Sequence, residues 1–392
     1  MKVVIAAGGR FHALHLAHQL EKRKALKKIF TFSYAKSDEN YVSKKLVCNS
    51  SFNRSLDFIF SKFRLSKFIK KSNYYVLSDN LFDYWLNQKI SKIGEIDIFV
   101  GWANYFLKSL PKVRKTGAKV IVECGSCHVL EQLEILKEEY KNFGLTYSPV
   151  CQKNIYKVLE EYEQSDYIMT CSNFTYKSFI KHGIKENKIL KVPYGVDLDF
   201  FLNKSKKEQE NKNKFRVICV GLLGLRKGIP YLLQAWNKLN LPKDKTELLL
   251  VGNVQKDLNQ VLKKIKISDN VKFFGATDRQ TLKKLYQESS LFVLPSIEEG
   301  LSMVIAEAMA SGLPVVCTTN TGGEDLIENG KQGFIVPIRD VDALAEKILW
   351  CYKHHDESYQ MGLLGQEKAK LFSWDNYGEK VFDVYKKILK SE

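Results

Sequence analysis

The chain has 392 residues, enough for two domains of ordinary size, each with its own core. No apolar run approaches the roughly 20 residues of a membrane-spanning helix, and the first apolar run, Val3–Ala7, breaks at Gly8-Gly9, too short for a secretory signal. The expectation is a cytoplasmic protein whose eight scattered cysteines are reduced thiols.

The formal net charge is +17, and residues 1–200, with 32 Lys+Arg against 20 Asp+Glu, carry +12 of it. Either that half faces an anionic partner or the chain simply favours lysine.

In chain order, a buried strand at Lys2–Ala7 leads through Gly8-Gly9 into a helix over about Phe11–Lys24. His12, His15 and His18 follow at intervals of three, which spreads them over about 120° of helix surface, too wide for one zinc site. Phe58–Lys71 reads FIFSKFRLSKFIKK, interleaving cations with aromatic and aliphatic residues. It suits an anionic membrane surface or an exposed helix packing on its own domain. Strands follow at Ile96–Val100, Lys119–Glu123 and Tyr167–Cys171, with helical stretches between. The lysine-rich run Asn203–Lys214 reads as a linker. The pattern then restarts, with strands at Phe215–Val220, Glu247–Val251, Val271–Phe274, Leu291–Leu294 and Val315–Cys317. Strands alternating with helices imply parallel sheets covered on both faces.

Two segments carry chemistry. Gly221–Gly228 reads GLLGLRKG and leads from a strand into the helix Tyr231–Leu239. A glycine-rich loop with Arg226 and Lys227 suits a diphosphate, whose charge the cations would stabilise as it departs. Leu294–Val316 reads LPSIEEGLSMVIAEAMASGLPVV. It gives a strand end, an acidic loop, a helix over about Leu301–Ala310 and the next strand, so Glu299 lies where open α/β sheets bind ligands. The helix N-terminus at Gly300, Leu301 and Ser302 suits an anion. Glu307 lies eight residues past Glu299, at most about 12 Å along a helix, so the two carboxylates could hold hydroxyls at either end of a nucleoside diphosphate sugar.

The E-x7-E pair within EGLSMVIAEAMASGLPVV closely resembles the signature of family 4 retaining glycosyltransferases of the GT-B fold. The resemblance covers the second half and extends weakly over the first. It implies an α/β chain of two Rossmann-like domains facing across a cleft: residues 1–195 on the acceptor side, a linker at 196–214, the nucleotide-sugar domain at 215–371, and a C-terminal helix, 372–392, crossing back. It assigns catalysis to His128, Lys227 and Glu299. Donor binding falls to Gly8, Gly9, Arg226, Lys227, Gly300, Leu301, Ser302 and Glu307. Lys227 takes the family's phosphate-binding lysine position, whereas Leu222 replaces a frequent arginine, and Arg226 is the substitute.

His128 takes the place of a histidine that contacts the transferred sugar, with a merely structural role as the alternative. CGSCH at 124–128 also matches a haem-attachment or redox pattern, and haem attachment would need export. Asp197-Leu198-Asp199 is a literal D-x-D, but it sits in a G-V-D turn that resembles the family's linker, so no metal is expected. Gly322-Gly323-Glu324 would close over the sugar phosphate. The partners implied are a nucleoside diphosphate sugar (UDP- or GDP-linked), a sugar or lipid-linked acceptor and an anionic membrane surface, with no nucleic acid and no cofactor. Retention is implied, with a double displacement through Glu299 left open. A GT-B phosphorylase, a sugar-nucleotide epimerase and a basic binding protein are the alternatives, the last disfavoured by the Lys227–Glu299–Glu307 set.

Overall fold

A computed structural model describes residues 1–50, 71–147, 152–202 and 214–390. Most of the basic–aromatic segment Phe58–Lys71 and of the linker Asn203–Lys214 lies outside the described residues.

The described residues form two parallel sheets. The first has seven strands: β1 Val3–Ala7, β2 Leu26–Thr31, β3 Val47–Asn49, β4 Ile98–Trp102, β5 Lys119–Glu123, β6 Tyr167–Thr170 and β7 Ile189–Lys191. Their order is β3-β2-β1-β4-β5-β6-β7. The second has six: β8 Phe215–Val220, β9 Thr246–Val251, β10 Val271–Gly275, β11 Leu291–Leu294, β12 Val315–Thr318 and β13 Gly333–Val336. Their order is β10-β9-β8-β11-β12-β13. Helices cover both faces, so central strands such as β1 and β11 are buried at every residue.

Both sheets reverse their strand order once, between β1 and β4 and between β8 and β11. Loops leaving the carboxyl ends of strands at such a reversal flank a crevice. The loops after β1 and β4 and those after β8 and β11 are therefore the ones placed to hold a ligand. They include Gly8–His12, Gly221–Gly228 and Pro295–Ser302.

Two backbone connections join the halves at one place. Val196 bridges to Ser373, and the Val196 amide donates to Phe372 O at 2.7 Å. The final helix, Trp374–Lys390, then packs against the helix Ala13–Lys22 of the first half. Asp375 accepts from Gln19 at 3.0 Å and from Lys22 at 2.9 Å. Gly378 is required there, since an added Cβ would come within 2.4 Å of Gln19 Oε1.

Candidate active site

The glycine-rich loop works through contact. Gly221 has φ +149°, and an added Cβ would lie 2.8 Å from Lys227 Cε, so the lysine stem crosses a position open only to glycine. Its ammonium lies 2.6 Å from Glu299 Oε1. Burial alone would raise the Glu299 pKa. The charges of Lys227 and Arg226, with hydrogen bonds from Lys227 and Ser296, outweigh it and hold the carboxyl below its ordinary value. An ionised carboxylate and a cation thus meet at the end of β11.

Arg226 faces mainly Glu298, which sequence reasoning passed over. Arg226 Nε donates to Glu298 Oε2 at 2.8 Å and to Glu298 O at 3.0 Å, while its Nη2 is 3.8 Å from Glu299 Oε2. Glu298 is completely buried. Its remaining bonds come from the first half: Cys127 Sγ to Oε1 at 3.4 Å and Gln132 Nε2 to Oε2 at 3.0 Å. The resemblance gives Arg226 to the diphosphate; in this arrangement much of its charge is already balanced at the domain junction. Leu222, in the place of the frequent arginine, is 61% exposed.

The helix after Ser302 spans Met303–Ala310. The Ser302 amide donates to Thr321 O at 3.1 Å and the Glu299 amide to Asn320 O at 2.9 Å. Ser302 N is therefore committed within the fold rather than held ready for an anion. Gly300 touches the first half: Ser172 Oγ donates to its carbonyl at 2.7 Å, and an added Cβ would sit 1.9 Å from Gly125 O. Leu301 is buried. Gly322, expected over the sugar phosphate, packs on this same loop, since an added Cβ would lie 2.9 Å from Gly300 O.

Glu307 sits half-buried one helix length away and accepts from Tyr286 OH at 3.3 Å. Burial pushes its carboxyl up to about 7, with Tyr286 and Arg279 only partly offsetting. Asp197 of the D-x-D is ion-paired with Arg279 at 2.8 Å, and the Arg279 guanidinium lies 4.3 Å from the centre of the Phe200 ring. The D-x-D thus serves the junction between the halves.

On the first-half side, a cavity of about 430 Å³ is lined by Phe11, His12, Trp102, Glu123, Cys127 and Arg226, among others. Arg226 is the second half's contribution to its wall. Gly8 is covered by Tyr105, whose ring would lie 2.1 Å from an added Cβ, and Gly9 by Phe11 at 2.8 Å. Beside these two glycines the cavity wall is formed by Phe11 and His12.

His128 is enclosed. It is the N-cap of the helix Val129–Asn142, with its Nδ1 accepting from Leu130 N at 3.3 Å, and its ring stacks on His182 at 4.4 Å. Burial lowers its pKa to about 4, with His182 adding and Glu131 opposing. Cys127 and Val129 line the cavity on either side of it. Cys124 and Cys127 are buried free thiols whose pKa values burial pushes up, which suits neither haem attachment nor redox exchange. His15 stacks on Trp374 at 3.9 Å, and His18 Nδ1 contacts Tyr41 O at 2.7 Å.

Further polar contacts join the halves around this site. Asp325 accepts from Asn173 N at 2.6 Å, Arg339 pairs with Glu139 at 2.7 Å, and Tyr140 OH donates to Asp257 at 2.7 Å.

A family model described as "Glycosyl transferases group 1" matches residues 201–366. An uncharacterized glycosyltransferase of Methanocaldococcus jannaschii is 26% identical over 304 residues, covering 74% of this chain and 72% of that protein. The GDP-mannose-dependent alpha-(1-6)-phosphatidylinositol monomannoside mannosyltransferase of Mycobacterium tuberculosis is 25% identical, with 56% of this chain and 61% of that protein aligned. Among solved structures, HepE of Anabaena in complex with UDP superposes with a TM-score of 0.68 at 16% identity, covering 99% of this chain and all of that one. The fold of the whole chain is therefore GT-B. The second half of the chain, over residues 201–366, belongs with the group 1 glycosyltransferases.

Proposed function

We propose that the protein is a metal-independent, retaining transferase that moves a sugar from a UDP- or GDP-sugar to an acceptor hydroxyl in cell-surface polysaccharide, lipopolysaccharide or glycolipid synthesis. The observation that carries this reading is the Lys227–Glu299 pair at the strand reversal of the second sheet, 2.6 Å apart and held by glycine geometry. A relative solved with UDP and another named for GDP-mannose and a phosphatidylinositol mannoside support the donor class and the setting.

On this reading the bond between the anomeric carbon and the phosphate oxygen breaks with its electron pair going to the nucleoside diphosphate. Lys227 is the charge partner for that developing anion, with Arg226 beside it. Phosphate drawing the ammonium away from Glu299 would leave that carboxylate to accept from the sugar hydroxyls. Glu307 would hold the ribose. The acceptor oxygen would attack from the face the diphosphate leaves. Nucleotide release from a panel of UDP- and GDP-sugars with a chelator present, and the anomeric configuration of the product by NMR, test the reading. Loss of activity on chelation, restored by manganese or magnesium, would overturn metal independence, and an inverted product would overturn retention.

The division of labour between the two glutamates has its own expected result. Glu307→Ala should weaken binding of the free nucleoside diphosphate, whereas Glu299→Ala should weaken binding of the intact donor and spare the nucleotide. Calorimetry at pH 8, above the raised Glu307 value, reads both. Equal effects of both substitutions on both ligands would contradict the division.

No helix among the described residues is long and apolar enough to cross a membrane. A lipid-linked acceptor met at an anionic surface suits the basic first half, and salt-sensitive sedimentation with anionic vesicles is the test.

A further inference from the structure

The cavity wall opposite Arg226 carries chemistry that the donor reading does not use. Glu123 ends β5 and His12 precedes the helix after β1, and these strands flank β4 in the first sheet. His12 Nε2 lies 2.9 Å from Glu123 Oε1, with His12 7% and Glu123 1% exposed. Tyr194 at 4.0 Å and Trp102 at 4.9 Å hold the imidazole, and Tyr377 of the final helix meets it edge-on at 6.3 Å. His12 occupies the N-cap position of Ala13–Lys22, yet its side chain makes no capping bond. With Nε2 on Glu123, Nδ1 is the nitrogen left for a ligand in the cavity.

The second observation is independent of that geometry. Glu123 Oε2 and the hydroxyl of Tyr377 are buried without a hydrogen-bond partner among the described residues, and the buried Tyr194 hydroxyl has only the Cys171 thiol beside it. Burial pushes both phenols well above their ordinary value, with the charge of Glu123 adding, so they stay O–H donors. Leaving a buried acceptor unsatisfied costs about 1–3 kcal/mol, and more for a charged group. Most buried carboxylate oxygens find a hydrogen-bond partner. A carboxylate held half-satisfied behind a histidine, at the wall of a cavity that also contains the donor-side Arg226, calls for an explanation.

We propose that His12 binds the acceptor hydroxyl and takes its proton during transfer, and that Glu123 is the positioning residue that fixes the imidazole. The proposal rests on the donor reading given above. As the acceptor oxygen bonds to the anomeric carbon, the sugar–phosphate bond breaks toward the diphosphate. The hydroxyl proton passes to His12 Nδ1 and leaves to water with the products. Nε2–H stays on Glu123 throughout, so the carboxylate steadies the imidazolium without being protonated.

The test uses the full chain with UDP-glucose or GDP-mannose, whichever the wild type turns over, and water or an octyl hexoside as acceptor probe. His12→Ala should lower kcat by about 10²–10⁴-fold, with donor affinity by calorimetry at the wild-type level and part of the loss restored by added imidazole. His12→Asn should behave alike, which guards against a folding defect in the first variant. Glu123→Gln should lower kcat without imidazole rescue and with the KM for the octyl hexoside unchanged. Near-normal kcat in folded His12→Ala would overturn the proposal and leave the donor reading standing. Donor affinity lost in both His12 variants, with no rescue, would make His12 structural and overturn it too. A wild type releasing no nucleotide from any donor would overturn the donor reading and the proposal together.

Discussion

Lys227→Ala is expected to lower turnover about 10²–10³-fold, the usual consequence of removing one charge partner of the departing group, while the protein stays folded. The expectation follows from how the lysine is held. Its stem lies across Gly221 and its ammonium meets Glu299 at 2.6 Å, so its rotamer is fixed before any ligand arrives. A cation set in place beforehand needs no rearrangement as charge develops on the diphosphate. Arg226 cannot simply replace it, because its Nε is committed to Glu298. In the alanine variant, burial is opposed only by Arg226 and the Ser296 hydrogen bond, and the Glu299 pKa should rise. Initial rates with circular dichroism as the fold control decide the matter, and ordinary turnover in a well-folded variant would remove Lys227 from the chemistry.

Glu298→Ala should have the largest effect on stability and domain geometry. The carboxylate is fully buried and joins Arg226 of one half to Cys127 and Gln132 of the other. Breaking a fully buried ion pair costs about 3–5 kcal/mol. The expected cost here is smaller, because the Arg226 side chain is 42% exposed and can turn to water once released. Chemical denaturation gives the stability change, and small-angle scattering should show a more open molecule. A variant matching the wild type in both would mean that the outer contacts, such as Arg339 with Glu139, suffice to close the cleft.

What the sequence disclosed follows from what is local in it. Glu299, Glu307 and Lys227 lie within short strand–loop–helix units, and the spacing along one helix carries over directly into space. Glu298 stands beside Glu299 in the same loop, yet its partners Cys127 and Gln132 are more than 160 residues away. His12 and Glu123 are separated by 111 positions, and only the order of strands brings them together. No periodicity encodes such pairs. Strands were missed for a simpler reason: β2 reads LKKIFT, its lysines hiding a half-buried strand, and β3 and β7 are three residues each. His128 is a different case. Its place after a strand matches the resemblance, but a ring stacked on His182 and capping its own helix faces inward.

The final helix has a consequence for how the chain folds as it is made. Domains usually finish in the order of their synthesis, N-terminal first. Here the helix Ala13–Lys22 is covered by Trp374–Lys390, which brings Tyr377 to the wall of the first domain's own His12. Protease protection of ribosome-stalled chains ending near residue 372 reads the resulting order directly. Every strand of the second sheet, β8 to β13, leaves the ribosome before that cover is available. The domain translated first is therefore the last to be finished, and a chain truncated by its final helix alone would be damaged at the opposite end of its sequence.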